Sequence, residues 1–420
     1  MLDIKYIREH QEEIAANSVA RLAKADIGLL LKLDSEKRLL ETEVMDLRAS
    51  RNKTSKTKPT DEEIAQMKEV GDTIQVKEGE INALEAKVRE LLLAVPNLTN
   101  PEVIVSQDED DNAILDQIGE VTSFDFAPKD HVELAEALDL IDFERGTKVS
   151  GAKFYYLKGD LARLELALIN YTLDIVTAHG YQLMTTPDLA KTEIVERLGF
   201  SPRGESTQVY NIENSDLSLI GTAEITLGGL YADEVLDLEK LPIKLVGLSH
   251  CFRTEAGSYS KFSKGIFRVH QFSKVEMFVF ATPEQSTQLH QEILEIEKEI
   301  FAGLALPFRV VDHCTADLGN PSYRTFDLEA WMPGKPNQDG SAGDWAEVTS
   351  TSNCTDYQAR GLNIKYKTAD DKKELVHTLN GTGVATTRAL IAIMENCQQA
   401  DGSIAIPKKL IPYFGKENIS

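Results

Sequence analysis

Two stretches near the start of this chain repeat their buried-type positions at alternating intervals of three and four residues, a pattern that suits a helix and not a strand. The first runs through Leu30, Leu33, Lys37, Leu40, Val44, Leu47 and Arg51. The second runs through Val70, Ile74, Lys77, Ile81, Leu84, Val88, Leu91 and Val95. A 3.5-residue repeat lays one seam along each helix, and two such seams bury each other as a coiled coil. Lys58-Pro59-Thr60-Asp61 separates them. The proline disfavours helix in the residue before it, and Thr60 or Asp61 offers an N-cap oxygen to the second helix. Pro96 ends that helix. The expected element is an antiparallel helical hairpin over about residues 27–95, preceded by a short amphipathic segment at residues 3–23. A first helix of about 30 residues, rising about 1.5 Å per residue, makes an arm about 45 Å long.

Charge gives the arm a use. The 420 residues carry a net charge of −23, which repels nucleic acid unless a local basic patch offsets it. Residues 1–100 hold 16 Lys and Arg against 19 Asp and Glu, so most of the negative charge lies beyond them. Where the two helices meet, residues 48–58 carry Arg48, Arg51, Lys53, Lys56 and Lys58 and no acid. Such a tip is either a solvated turn or a contact for a phosphate backbone, and the acidity of the rest of the chain favours the contact. Residues 101–120 hold seven acids and no Lys or Arg. They read as a linker, with room for a strand at 102–106, which divides the chain into an N-terminal domain (1–100), an acidic linker (101–120) and a globular domain (121–420). No run is long and apolar enough to cross a bilayer, and the first ten residues have no apolar signal core. Cys251, Cys314, Cys354 and Cys397 lie far apart, with no Cys-x-x-Cys. Neither a zinc site nor a disulfide framework is expected, and the cytoplasm is the expected compartment.

The globular part alternates strand-like and helical segments. Strands are expected at Lys153–Leu157, Tyr181–Pro187, Leu217–Ile220, Phe308–Asp312, Glu329–Met332 and Glu347–Thr351, the last two around a loop at 333–343. Helices are expected from Asp160 to Gly180, over Pro283–Ala302, and over Val384–Gln399, the last opened by Asn380-Gly381-Thr382-Gly383. Consecutive hairpins with segregated helices indicate an α+β domain on an antiparallel sheet. Residues 252–278 read as a long β-hairpin in which Arg253, Glu255, Arg268 and Glu276 share one face. That face is either a solvated surface with salt bridges or the floor of a site for a small charged ligand; four charges among Phe and Val favour the floor. There is no Gly-x-x-x-x-Gly-Lys-Ser/Thr and no Gly-x-Gly-x-x-Gly, so any bound nucleotide needs arginines and metal to neutralise its phosphates.

Several short motifs occur in a characteristic order: Thr222-Ala223-Glu224, Phe252-Arg253-Thr254-Glu255-Ala256-Gly257, Arg268-Val269-His270-Gln271-Phe272, Lys274-Val275-Glu276, Glu347-Val348-Thr349-Ser350, Ser352-Asn353-Cys354, His377-Thr378-Leu379-Asn380-Gly381 and Arg388. With the helical arm before them, they resemble the seryl-tRNA synthetases of the common bacterial and organellar type over essentially the whole chain. The resemblance implies a class II synthetase antiparallel sheet flanked by helices, a homodimer, and a reaction in two steps. Serine and ATP give seryl-adenylate, and the seryl group then passes to the 3′ end of serine tRNA, or of selenocysteine tRNA where that exists. It also implies roles. Arg253 and Arg388 are catalytic, clamping carboxylate and phosphates. Thr222, Ala223, Glu224, Arg253, Glu276, Asn380 and Thr382 bind serine. Arg253, Thr254, Glu255, Val269, Phe272, Glu347, Val348, Thr349, Ser350 and Arg388 bind ATP, with Glu347 and Ser350 as magnesium ligands.

The arm, through Arg48, Arg51, Lys53, Lys56 and Lys58, is implied to grip the tRNA, and Lys261 and Lys264 to reach its acceptor end. Three departures from the family pattern stand out. The loop at 258–264 carries Lys261 and Lys264 where relatives carry arginines, which keeps charge but loses the bidentate fork. Thr382 stands where many relatives have serine, and Thr387 where many have glycine. A carrier-protein ligase that keeps the active site would lack the arm. An inactive paralogue would have lost Arg253, Glu276, Glu347 or Arg388. Another class II synthetase would not combine the arm with Thr-Ala-Glu.

Overall fold

The computed structural model describes residues 1–54, 60–200, 207–256, 262–337 and 340–420. The chain forms two compact units, Met1–Leu98 and Thr99–Ser420.

In the first unit, helices at Ile4–Glu9 and Gln11–Ala20 precede α1 (Ile27–Thr54) and α2 (Asp61–Leu93). The two long helices are antiparallel: Lys37 meets Glu85 at 4.0 Å, while Glu43 meets Lys77 at 2.6 Å. Leu30, Val44, Ile74 and Val88 are buried along the expected seam. With 28 residues in α1, the arm is about 42 Å long. Arg48 is exposed and paired with Glu78 at 2.5 Å, and Arg51 is exposed. Lys56, Lys58 and Lys261 lie outside the described residues, and the side chain of Lys53 is not described.

The second unit is built on one large sheet. Its strands are β1 (Ala113–Ile118), β2 (Gln182–Thr185), β3 (Ile243–Phe252), β4 (Gln271–Ala281), β5 (Phe308–Asp312), β6 (Arg324–Pro336), β7 (Ala342–Asn353) and β8 (His377–Ala385). Their spatial order is β1-β5-β6-β7-β8-β4-β3-β2. Neighbours are antiparallel except β2 and β3, which run parallel. Three long helices, α3 (Gly159–Ala178), α5 (Pro283–Gly303) and α7 (Thr386–Asn396), share a core with one face of this sheet. Two short helices, α4 (Glu224–Gly228) and α6 (Tyr357–Leu362), join a second core that includes Phe278 and Phe280 of β4.

Several expectations needed correction. The acidic segment 101–120 is no simple linker, because residues 113–118 form the edge strand β1 against β5. Residues 102–106 form no strand; Ser106 instead donates its amide to Thr315 Oγ1 at 3.0 Å. The loop expected at 333–343 shrinks because β6 and β7 extend to Pro336 and Ala342. Asn380–Gly383 lies inside β8 and opens no helix. Gly381 has a packing reason there: a Cβ would sit 2.2 Å from Ile293 Cγ2 and 2.9 Å from Glu297 Oε1.

Gly361 shows how tightly α6 is docked. A Cβ on it would lie 2.0 Å from the carbonyl oxygen of Arg197, and the Arg197 guanidinium donates to the Gly361 and Leu362 carbonyls at 2.8 and 2.7 Å. The contact is backbone, so nothing flexible can yield. Gly361→Ala is expected to lower stability by about 1–3 kcal/mol. Urea unfolding should show a lower midpoint at unchanged slope; an unchanged midpoint would contradict this packing.

Candidate active site

Side-chain alternation along β4 divides the sheet into two faces. Val275, Met277 and Val279 point into the helix-covered core. Phe272, Lys274 and Glu276 take the other face, continued by Phe278 and Phe280 in the second core. Strand register carries the polar set sideways, because directly opposed residues share a face. Thr382 lies opposite Glu276, and Asn380 opposite Phe278. Ser352 lies opposite Asn380, and Ser350 opposite Asp327.

Glu347 and Ser350 are three residues apart and on a regular strand would point to opposite faces. The ladder pairs Glu347 with Glu329 but Thr349 with Leu328, which leaves Val348 as an extra residue. This bulge resets the alternation, and both Glu347 and Ser350 line the same cleft. Thr349 is turned the other way, donating its hydroxyl to Glu297 Oε2 of α5 at 2.8 Å. What Thr349 offers a ligand is therefore backbone.

The rim comes from irregular chain. Arg253, Glu255 and Arg268 were expected on strands, yet β3 stops at Phe252 and β4 begins at Gln271. Arg253 and His270 pinch the base of the connection: the Arg253 amide donates to the His270 carbonyl at 3.0 Å, and His270 Nδ1 lies 2.9 Å from the Arg253 carbonyl. Glu255 has a left-handed φ of 53° and meets Arg268 at 3.4 Å. The Arg253 guanidinium lies 5.3 Å from the centre of the Phe272 ring, and its Nε donates to the Gly221 carbonyl at 3.3 Å. Arg388, in the first turn of α7, reaches Glu347 Oε2 at 2.9 Å and stacks over Phe267.

The electrostatics separate two ends. Burial, reinforced by the charge of Glu276, pushes Glu224 up to about 7, against the hydrogen bond from Gln358. Glu276 is buried and ion-paired with Lys274, and Thr382 donates to it at 3.4 Å. At the other end burial works to raise Glu347, but Arg388 and then Arg253 overcome it and hold that carboxylate at about 2. One end thus offers carboxylates to an ammonium or hydroxyl, and the other offers guanidinium groups to phosphate. The space between is about 400 Å³.

Every expected serine- or ATP-binding residue lines this cleft except Ala223 and Thr254. Ala223 is buried against Gly247, and the Thr254 hydroxyl donates to the Thr207 carbonyl at 2.5 Å. Lys264, expected at the tRNA acceptor end, is held by Asp130, the capping residue of a helix at His131–Ala137. Reasoning from sequence missed Lys274, Ser352 and Gln358. Lys274 had a signal, since it lies two residues before Glu276 on one strand face. Gln358 had none.

A mostly antiparallel sheet backed by helices, with an arginine-and-carboxylate cleft on its open face, is the core of a class II synthetase. Residues 208–397 match the tRNA synthetase class II core domain (G, H, P, S and T), and residues 1–99 match the seryl-tRNA synthetase N-terminal domain. The serine–tRNA ligase of Treponema denticola is 51% identical, with 100% of both chains covered. That of Rubrobacter xylanophilus is 48% identical, covering 100% of this chain and 99% of the relative. The crystal structure of seryl-tRNA synthetase from Pyrococcus horikoshii complexed with ATP matches with a TM-score of 0.88 at 40% identity, covering 100% of this chain and 99% of that one. This chain belongs to the serine–tRNA ligase family.

Proposed function

We propose that the protein charges serine tRNA, and selenocysteine tRNA where present, using L-serine and ATP. The observation that carries this reading is the convergence of Glu224, Glu276, Arg253, Glu347 and Arg388 on one cleft. In the first step a serine carboxylate oxygen attacks the α-phosphorus of ATP. A P–O bond forms, the bond to the β-phosphate oxygen breaks, and pyrophosphate leaves. Two anions must be held together for this, and Arg253 lies where it can bridge them. Glu255 and Phe272 face the adenine, Arg388 takes the terminal phosphate, and Glu224 and Glu276 take the ammonium and hydroxyl of serine. In the second step a hydroxyl of the terminal adenosine attacks the seryl carbonyl and AMP leaves.

Magnesium fits the residues present. Arg388 and Arg253 hold the Glu347 carboxyl well below its usual range, and Glu347 and Ser350 line the same cleft. Among the described residues there is no group of three or more His, Cys, Asp or Glu able to hold a metal, and magnesium needs only one or two carboxylates with phosphates and water. Glu347 and Ser350 would hold it, and its charge would offset that of the phosphates.

The tRNA reading rests on the arm and its basic tip. A homodimer is supported by exposed Val149, Tyr156, Leu166 and Leu183 around α3 and the sheet edge β2. No helix among the described residues is long and apolar enough to cross a membrane, and cytoplasmic action is part of the reading.

Serine-dependent ATP–pyrophosphate exchange is the test, and absence of exchange with purified protein overturns the reading. The pH profile sharpens it. Glu224 ionises near 7, and its charged form is the one that receives an ammonium. The specificity constant for serine is therefore expected to fall about tenfold per pH unit below that point. A profile flat from pH 8 to 6 would remove Glu224 from serine binding.

A further inference from the structure

Glu224 is held by a residue that lies outside the motifs. Gln358 of α6 is fully buried. Its Nε2 donates to Glu224 Oε1 at 2.7 Å, and its Oε1 accepts the Thr378 hydroxyl at 2.7 Å. Asn380 Nδ2 donates to the same Glu224 oxygen at 3.2 Å. A carboxylate only accepts hydrogen bonds. Ionised Glu224 therefore orients the amide of Gln358, and Thr378 satisfies the amide's other end. Both donors converge on Oε1, while Oε2 has no hydrogen-bond partner among the described residues. Glu224 lines the cleft, so Oε2 is the oxygen left for a ligand.

We propose that Gln358 is a positioning and specificity residue, locking Glu224 through Oε1 so that Oε2 meets the ammonium or hydroxyl of a small hydroxy amino acid. The proposal rests on the ligase reading above. It gives Gln358 a role at a distance from the substrate: a buried acceptor set for a hydroxyl is left unmatched when alanine enters. A loosened Glu224 would lose that penalty. The charged and titratable groups around Glu224 are Glu276 and Lys274 from β4 and Arg253 from the β3–β4 connection. Cys354 lies beyond Asn380, 3.8 Å from its Nδ2. Glu276 opposes ionisation of Glu224, and Gln358, Lys274 and Arg253 favour it.

The test uses Gln358→Met, which keeps volume and removes both hydrogen bonds, and Thr378→Val, which frees only the far end of the amide and is the milder change. A hydrogen bond to a charged group is worth about tenfold to a hundredfold in equilibrium terms. In pyrophosphate exchange, Q358M is expected to raise KM for serine about tenfold or more, to leave KM for ATP within about twofold, and to reduce the preference for serine over alanine. The acid limb should move up by about one pH unit, with T378V shifting the same way by less. A separate readout needs no activity: the carboxyl ¹³C titration of Glu224 in protein with labelled glutamate, assigned by its loss in Glu224→Gln. It should shift upward in both variants. Unchanged titration in folded Q358M, or equal losses for serine and ATP, overturns the proposal. Wild-type protein without exchange overturns the ligase reading instead, and the carboxyl titration still decides the role of Gln358.

Discussion

Replacing Arg253 with alanine is expected to cut serine-dependent pyrophosphate exchange by on the order of a thousandfold, with tRNA charging lost alongside it. The guanidinium is aimed before substrate arrives. The Phe272 ring supports it from one side and the Gly221 carbonyl fixes Nε, so the remaining nitrogens face the cleft without reorganisation. Lysine at this position should restore little, because a single ammonium cannot bridge a carboxylate and a phosphate in one plane. The loss should fall mainly on kcat, since the charge Arg253 meets is greatest when the two anions are joined. Exchange retained within tenfold in Arg253→Ala would take this residue out of the chemistry.

Shortening the arm should separate the two steps. Lys37 lies across from Glu85 and Glu43 across from Lys77. Removing residues 41–81 and closing the gap with a short glycine-rich loop therefore joins helices that are already neighbours. The cleft residues all belong to the second unit, so exchange should stay within about twofold. With the tip cations as the proposed contact to the tRNA backbone, charging of serine tRNA should fall by at least about a hundredfold. Wild-type charging should weaken as salt rises, and the shortened form should lose that dependence. Full charging by the shortened form would remove the arm from tRNA recognition.

Much of the site is legible in the sequence. Glu276 and Phe272 lie four residues apart on β4, and alternation alone places them on one face. Glu224, Asn380 and Arg388 came from the order of the motifs. The hairpin expected over 252–278 was right about two joined antiparallel strands and about Glu276 on β4, but its first strand ends at Phe252 and its second begins only at Gln271. Arg253, Glu255 and Arg268 have the spacing of a strand face, yet they occupy a connection pinched by the Arg253–His270 bonds. Even spacing over a few residues does not distinguish a strand from an irregular rim. Asn380–Gly383 failed for a related reason. Its glycines resemble a turn, but Gly381 is needed where β8 passes close to Ile293 and Glu297.

By itself the sequence determined what is local and periodic: the two helices of the arm, the basic tip, the alternating faces of the strands, and the residue types able to handle an ammonium, a carboxylate and phosphates. Only the tertiary structure decided what depends on one strand meeting another. The extra residue Val348 exists only relative to Leu328 and Glu329 on the partner strand, and it brings Glu347 and Ser350 to the same side. Gln358 reaches Glu224 across 134 positions of chain because α6 docks on the backbone of Arg197. Spacing along a chain encodes faces; register and docking encode which faces meet, and those are settled when distant segments pack.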